Sequence, residues 1–238
     1  MSSENRITFN KNNLEQYIKE LAKEYRKLGG KSIPAEIILI GGASVLINYG
    51  FRDMTSDIDA VLEAASTMKE AINHVGDKYD LPNGWLNDDF KKTASYTSKL
   101  AQYSVYYRKY YGVLTVRTVS AEYLIAMKLM AGREYKNDLS DVVGILAEHE
   151  KAKKPISIDM IHTAVNDLYD SWDSIPAHSR QFIENVIKNQ NYDDIMAQVR
   201  NEEKNTKATL IDFEGQYPGR ANETNVADII KNLKERKR

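Results

Sequence analysis

Apolar residues recur at helical spacing near the start of the chain, and two short strand-like runs follow. Residues 11–28 carry an apolar or aromatic side chain every three or four positions, which predicts an amphipathic helix. The run AEIILI over residues 35–40 is short and rich in isoleucine, as in a buried strand. The run TSDIDAVLE over residues 55–63 predicts a second strand, whose polar and apolar side chains point to opposite faces.

The remaining pattern is mostly helical, apart from a pair of strands in the middle of the chain. Residues 102–119 predict two strands joined near Tyr111 and Gly112. The predicted helices cover residues 43–49, 66–79, 120–134, 138–150, 157–170, 176–199 and 225–237. Residues 81–90 are predicted as a loop, and the polar residues 201–224 as a loop or a docking arm.

These elements predict an α/β fold, in which a small mixed sheet is flanked by helices and followed by a helical C-terminal region. Pro155 marks a change from the mixed part of the chain to the helical part. We expect one domain over residues 1–150, a helical region over 151–200, and a polar arm with a terminal helix over 201–238.

Composition narrows the classes of protein. The 238 residues carry a formal net charge of −1, so no global basic field indicates nucleic acid. Cysteine is absent, which excludes disulfides and thiolate zinc sites and fits a reducing compartment. The apolar stretch over residues 37–47 is too short to span a bilayer, and the polar first residues lack the apolar core of a signal peptide. We therefore expect a cytoplasmic protein with no membrane partner.

Two acids stand one residue apart in the second predicted strand. Because side chains alternate along a strand, Thr55, Asp57 and Asp59 share one face, and the apolar residues between them take the other. Neighbouring carboxylates repel, and a divalent cation relieves that repulsion. Mg²⁺ prefers oxygen ligands, typically one or two carboxylates completed by water and phosphate oxygens. The pattern therefore indicates a metal site.

A pair of glycines precedes these acids by a short helix. Gly41 and Gly42 have no Cβ, so their backbone can approach a phosphate closely. The helix that follows points amide donors at an anion, and Ser44 adds a hydroxyl. A glycine pair or an Asp-x-Asp alone is a weak signal, but the two together are more specific. The signatures of a P-loop and of a dinucleotide-binding fold are both missing.

The stretch GGASVLINYGFRDMTSDIDAVLE over residues 41–63 resembles the first motif of the DNA polymerase beta-type nucleotidyltransferase superfamily. More narrowly, it resembles bacterial nucleotidyltransferase-like proteins related to the AbiE-type toxins. Those proteins share a glycine turn, an Arg-x-x-Thr-x-Asp-Ile-Asp strand and a later helix with a lysine, here Lys128. The resemblance continues through GWLND (84–88) and MKLMAGREYKNDLSDVVGIL (127–146), and it covers residues 36–148.

The resemblance implies that residues 1–150 form a nucleotidyltransferase-like domain, which moves a nucleotide from a nucleoside triphosphate to a hydroxyl. In this interpretation Asp57 and Asp59 bind Mg²⁺ or Mn²⁺. Lys128 would be a catalytic residue that reaches the triphosphate. The residues that would contact the nucleotide are Gly41, Gly42, Ser44, Arg52, Thr55 and Lys136. The acceptor would be RNA or a protein, and the role that of a toxin with an antitoxin partner.

One feature of that superfamily is missing. A third carboxylate usually lies on a later strand, but the matching strand here, VLTVRTV (113–119), contains no acid. Asp88 or Asp89 is the substitute that the loop offers, and we prefer Asp88, which completes GWLND. The alternative is a catalytically decayed domain that only binds a nucleotide or a protein partner.

Two further groups of residues each have two interpretations. Lys128 lies on an apolar helix, where it either extends to water or reaches the triphosphate. Asp138 and Asp141 suit the cap and first turn of a helix, or they face the active cleft with Lys136. The tyrosines over residues 96–111 either stack on single-stranded RNA or, as we favour, pack on one face of a two-stranded ribbon.

Overall fold

The structure is a computed structural model, and it describes residues 8–63, 66–222 and 225–236. The chain divides into two compact units. The first takes in the chain up to Met127 together with Met160–Trp172. The second consists of Lys128–Asp159 and the chain from Asp173 onward.

A five-stranded mixed sheet forms the centre of the first unit. Its strands are β1 (Ala35–Leu39), β2 (Ile58–Glu63), β3 (Leu86–Asn87), β4 (Ser104–Tyr110) and β5 (Leu114–Val119), in the order β3-β2-β1-β5-β4. Strand β1 is antiparallel to β2 and parallel to β5, while β3 runs parallel to β2 and β4 antiparallel to β5. This confirms the predicted α/β fold with a mixed sheet flanked by helices.

The helices of the first unit include α1 (Lys11–Tyr25), α2 (Gly41–Asn48) and α3 (Ser66–Tyr79). Helix α1 begins with a reciprocal cap, in which the side chains of Asn10 and Asn13 each accept from the other's amide. The apolar faces of α1 and α3 pack with β1 and β5 in one core. That core covers one face of the sheet.

The hairpin between β4 and β5 turns where the sequence predicted. Tyr111 and Gly112 both have positive φ, and the amide of Val113 donates to the carbonyl of Tyr110 (3.1 Å). This is the geometry of a two-residue turn whose twist matches that of the flanking strands.

Two helices, α4 (Ala121–Ala131) and α6 (Ile158–Tyr169), cross the division between the units. Residues 160–172 rejoin the first unit, where the Tyr169 hydroxyl donates to the carbonyl of Ser95 (2.8 Å). The observed division therefore differs from the expected boundary at residue 150. Such a return of the chain depends on contacts between distant residues, which local patterns do not record.

The second unit is built from α5 (Asp138–Lys151), α7 (Ala177–Asn189), α8 (Tyr192–Gln216) and α9 (Val226–Arg236). The prediction of one helix over 176–199 was wrong, because Gln190 takes a left-handed conformation and separates α7 from α8. The prediction of a loop from residue 201 was also wrong as far as Gln216. Some polar residues of α8, among them Glu203 and Thr206, are buried in this unit. The sequence does not distinguish them from polar residues that face water, so the segment was predicted as a loop. Among the described residues, no helix is long and apolar enough to cross a membrane.

Candidate active site

The two acids lie at the start of β2. Asp57 immediately precedes the strand and is exposed, while Asp59 is its second residue and is partly buried. On the opposite side, Ile58 and Ala60 are fully buried in the core. Within β2 the predicted alternation is confirmed for Asp59 and its buried neighbours, whereas the strand that was expected to begin at Thr55 begins only at Ile58.

The glycine turn brings the start of α2 next to these acids. The amide of Ile40 donates to the carbonyl of Asp59 (3.1 Å), and α2 begins at the following residue. Gly41 has a φ of +53°, a conformation that favours glycine. A Cβ on Gly41 would lie 3.6 Å from Oδ2 of Asp59, so this carboxylate lies against the turn. The first amides of a helix have no partner within it, which places potential anion donors beside Asp59.

Gly42 is required by the chain's own side chains. A Cβ there would lie 2.6 Å from the hydroxyl oxygen of Thr55 and 2.8 Å from Nη2 of Arg52. Arg52 is oriented by its Nε, which donates to the carbonyl of Met54 (3.1 Å). The space that sequence analysis assigned to an approaching phosphate is thus partly filled by Thr55 and Arg52. This guanidinium is a cation in contact with the first turn of α2.

Replacing Gly42 with Ala should therefore destabilise the ligand-free protein. The short, buried side chain of Thr55 has little room to move, and overpacking of this kind costs about 1–3 kcal/mol. Gly50→Ala is the matched control, because a Cβ at Gly50 would have no atom of the described part of the chain within 4 Å. Chemical denaturation of both variants measures the difference, and equal stabilities would contradict the packing.

Ser44 is on the buried side of the short helix α2 and not on its exposed side. It is fully buried in α2, and its hydroxyl oxygen accepts from Nδ2 of Asn48 (3.5 Å). Asn48 in turn accepts from Thr118 on β5 (3.5 Å). These contacts give Ser44 a place in the packing of α2, and its contact with a phosphate stays a prediction.

Strand β3 places the GWLND stretch beside the acids. Asn87 is the direct neighbour of Asp59 in the parallel β2–β3 pair, where strands lie about 4.8 Å apart. Trp85 is buried and its indole nitrogen donates to the carbonyl of Ile72 (3.0 Å), which anchors the loop. Asp88 comes next, with its carboxylate half-exposed and paired with Lys91 (2.9 Å). The hydrogen bond from Lys91 holds the pKa of Asp88 below its usual value.

Lys128 belongs to the second unit. Of its two interpretations, the one in which the side chain extends to water does not agree with its burial. Its side chain is only 8% exposed, and Nζ lies 2.9 Å from Asp138 and 2.8 Å from Asp141. Arg133 also pairs with Asp138 (2.7 Å). Burial would raise the pKa of Asp138, but these two cations lower it well below its usual range. Lys136, in contrast, is exposed in the turn before α5.

Asp138 and Asp141 lie in the first turn of α5 and also form ion pairs. Asn137 occupies the cap position of α5, so Asp138 is the first helical residue, one position later than expected. A buried ion-pair group forms where α4 ends and α5 begins, because two cations face two buried aspartates. This gives Lys128 a structural role, and its contact with a triphosphate stays a prediction.

Glu203 on α8 completes this region. Its Oε1 accepts from the amides of Leu139 and Ser140, both at 3.1 Å, and so caps the first turn of α5. Its Oε2 is buried and has no hydrogen-bond partner among the described residues. Burial raises the pKa of Glu203 to about 7, with a further contribution from Asp141 and Asp138 and against the hydrogen bonds from Ser140.

The stability of the protein should therefore fall as pH rises from the ordinary carboxyl range to about 7. In that window the folded state retains a proton that the unfolded state has lost, which amounts to about 1–3 kcal/mol. Glu203→Gln should flatten this dependence, whereas the exposed neighbour Glu202→Gln should leave it unchanged. Melting temperatures between pH 4.5 and 8 test this, and parallel profiles for all three proteins would refute it.

The tyrosine-rich strand β4 is an edge strand with two different faces. Tyr107 and Tyr110 pack against the core, while Tyr106 on the open face is 62% exposed. Arg108 pairs with Glu15 (3.5 Å), and Lys99 pairs with Asp170 (2.7 Å). The ribbon interpretation is confirmed for the core face, and acids compensate two of the cations that would attract RNA.

The acids suit a metal that takes part of its ligands from its substrate. Within the described ranges, no group of three or more histidine and acidic side chains is arranged to hold a metal. Asp57 and Asp59 offer carboxylate oxygens next to a turn without Cβ atoms. That donor set fits Mg²⁺, which commonly takes one or two carboxylates together with phosphate oxygens and water.

A mixed sheet, a glycine turn at the start of a short helix and an Asp-x-Asp on the neighbouring strand are the features of a nucleotidyltransferase-like fold. The chain belongs to the family described as "Nucleotidyltransferase of unknown function (DUF6036)", whose model matches residues 16–200. No curated protein and no solved structure matches the chain. The narrower AbiE-type resemblance stays a prediction.

Three residues at or near these sites did not emerge from the sequence. Asn87 lies within the GWLND stretch, but only strand pairing identifies it as the neighbour of Asp59. Phe9 forms backbone hydrogen bonds with Thr55. In the sequence, its position as an aromatic residue in a polar segment was the one indication that it is buried. Glu203 lies in a polar run, where nothing distinguishes it from the glutamates around it.

Proposed function

We propose that this protein is a metal-dependent nucleotidyltransferase, which moves a nucleotide from a nucleoside triphosphate to a hydroxyl group. The observation that carries this proposal is the position of the Asp59 carboxylate beside Gly41, where an added Cβ would lie 3.6 Å from Oδ2, with Asp57 two residues away in the chain. An oxygen-ligand site there adjoins the amide donors of a helix start. Family membership supports the same class of reaction.

In this proposal, different residues around the glycine turn bind the metal and the phosphates of the nucleotide. Asp57 and Asp59 would hold Mg²⁺ or Mn²⁺, which neutralises charge on the phosphates during transfer. The amides of Gly41 and Gly42 would contact the β- and γ-phosphates. Arg52 would add a positive charge, because its guanidinium lies against the same turn. These positions orient the triphosphate, which is most of what such a transfer requires of a protein.

The transfer itself exchanges one phosphorus–oxygen bond for another. The acceptor hydroxyl oxygen attacks the α-phosphorus, the bond from that phosphorus to the bridging oxygen breaks, and pyrophosphate leaves. The hydroxyl proton needs an acceptor, and Asp88 is our candidate because it follows Asn87, the neighbour of Asp59. Its ion pair with Lys91 must open first, since a carboxylate with a lowered pKa is a weak base.

Asp88→Asn should then reduce turnover by a factor of about a hundred or more, the scale for losing a positioned base, while metal-dependent binding of the triphosphate survives. Asp89→Asn is a close control, because Asp89 also pairs with a lysine three residues later, Lys92 (2.7 Å). Single-turnover assays compare the two variants. Equal loss in both, or in neither, would remove Asp88 from the mechanism.

The acceptor and the partners are further parts of the proposal. RNA, such as a tRNA 3′ end, and a protein hydroxyl are the two acceptors, and the biological role would be that of a toxin controlled by an antitoxin. Transfer of label from each of the four α-³²P nucleoside triphosphates into total RNA and total protein tests both acceptors. Label in one fraction that depends on Asp57 and Asp59 is the expected result.

A binding-only domain is the second candidate, and one observation favours it. The position where the superfamily usually has a third carboxylate is occupied by Arg117 on β5, whose Nε donates to the hydroxyl of Ser104 (2.7 Å). A site with two acids and no base would still bind a metal–nucleotide complex. Metal-dependent binding of a triphosphate without transfer of label to any acceptor would support this candidate.

A further inference from the structure

Thr55 combines a buried side chain with a place beside the acids. It is only 3% exposed, whereas Asp57, two residues later, is exposed. A side chain with so little surface has almost nothing to offer a nucleotide directly. We therefore expect Thr55 to act through a neighbouring residue and not by direct contact with the nucleotide.

The backbone of Thr55 is fixed by the segment that precedes α1. The amide of Thr55 donates to the carbonyl of Phe9, and the amide of Phe9 donates to the carbonyl of Thr55, both at 2.8 Å. Phe9 is fully buried in the core, and the capped start of α1 follows it directly. Two hydrogen bonds and a buried anchor leave Thr55 little freedom to move.

The hydroxyl of Thr55 lies between the two halves of the candidate site. It donates to Oδ1 of Asp57 at 3.4 Å, and it fills the space where a Cβ on Gly42 would lie. The hydrogen bond is long for an oxygen pair, as such bonds often are before a ligand binds. One side chain thus contacts both the acid and the glycine turn.

We propose that Thr55 is a positioning residue, whose hydroxyl holds the carboxylate of Asp57 in the orientation that binds the metal of a metal–nucleoside triphosphate complex. This inference rests on the proposed function. The segment around Phe9 takes part in the same device, because it fixes the backbone from which the hydroxyl extends. Partners that orient metal ligands typically contribute 10–100-fold to metal affinity or activity.

Three variants separate the hydroxyl from the packing of the side chain. Thr55→Val removes the hydroxyl at nearly constant volume, and Thr55→Ser retains it. Thr206→Val makes the same change at a buried threonine of α8 in the second unit and measures the general cost of the substitution. Titration with Mn²⁺, followed by electron paramagnetic resonance, gives the affinity of each protein with ATP, GTP, CTP or UTP present. Thermal melting without ligand is measured in parallel.

Thr55→Val should lose about 10–100-fold in Mn²⁺ affinity in the presence of the preferred nucleotide, while Thr55→Ser and Thr206→Val stay close to the wild-type value. Wild-type affinity in Thr55→Val would overturn the inference, and so would an equal loss in Thr55→Ser. If the wild-type protein itself shows no nucleotide-dependent Mn²⁺ binding, the proposed function fails and the inference fails with it. That pattern is distinct from a loss confined to Thr55→Val.

Discussion

Replacing Asp57 and Asp59 together with Asn should abolish the rise in melting temperature that Mg²⁺ or Mn²⁺ and a nucleoside triphosphate give the wild-type protein. At a ligand concentration of about a hundred times Kd, binding stabilises the folded state by about 2.7 kcal/mol. For a chain of this length, that corresponds to about 5–10 °C.

The control for this experiment removes the same charge elsewhere in the first unit. Asp77 and Asp80 are exposed acids at the end of α3, and the double variant Asp77→Asn/Asp80→Asn should respond to metal and nucleotide like the wild-type protein. Differential scanning fluorimetry with each of the four nucleotides measures all three proteins. A full response in Asp57→Asn/Asp59→Asn would refute the metal assignment.

Lys128→Met should lower the free energy of unfolding by about 3–5 kcal/mol, because it leaves buried aspartates without their main counter-charge. This corresponds to a fall of about 6–20 °C in melting temperature. Sequence reasoning alone suggests a harmless change, since the methionine side chain has a similar apolar stem. The contacts of Nζ with Asp138 and Asp141 reverse that expectation.

Two companion variants test the ion-pair explanation. Lys136→Met removes an exposed lysine from the turn before α5, and it should change stability by less than about 0.5 kcal/mol. Lys128→Met/Asp141→Asn restores neutrality and leaves the pair of Arg133 and Asp138 in place, so it should recover part of the loss. Wild-type stability in Lys128→Met would contradict the buried ion-pair group.

The same double variant also tests the contact of Lys128 with a nucleotide. Its affinity for a nucleoside triphosphate and for the corresponding nucleoside can be compared at a temperature where it is folded. A loss for the triphosphate alone would support a phosphate contact. An equal loss for both ligands, or no loss, would limit Lys128 to its structural role.

The elements of the first unit were largely predictable, because each depends on a local pattern. The isoleucine-rich run became β1, and residues 66–79 formed α3 with the expected bounds. Helix α2 also formed, although it begins at Gly41, two residues before the expected start. The Asp-x-Asp stretch was predicted to begin a strand at Thr55, but Thr55 forms only an isolated pair with Phe9, and β2 begins at Ile58. Where a strand begins and ends depends on its partner strand, and the local sequence pattern does not identify that partner.

The second unit was less predictable, because polar residues form part of its interior. Helix α8 continues to Gln216 through residues whose polarity indicated a loop. Glu203 lies 63 residues from Ser140, yet its carboxylate caps the helix in which Ser140 lies. A glutamate that accepts backbone hydrogen bonds inside a protein has the same local pattern as one that faces water.

The sequence by itself determined the α/β class, the glycine turn and the alternation of Asp59 with its apolar neighbours, because turn chemistry and strand alternation are properties of neighbouring residues. Only the tertiary structure decided that Asn87 lies beside Asp59, that Thr55 lies between Asp57 and Gly42, and that Lys128 is neutralised by buried aspartates. Each of these depends on which distant segments pack together. Electrostatic and hydrogen-bond partners are set by that packing, so the roles of the charged residues follow from the fold and not from their spacing along the chain.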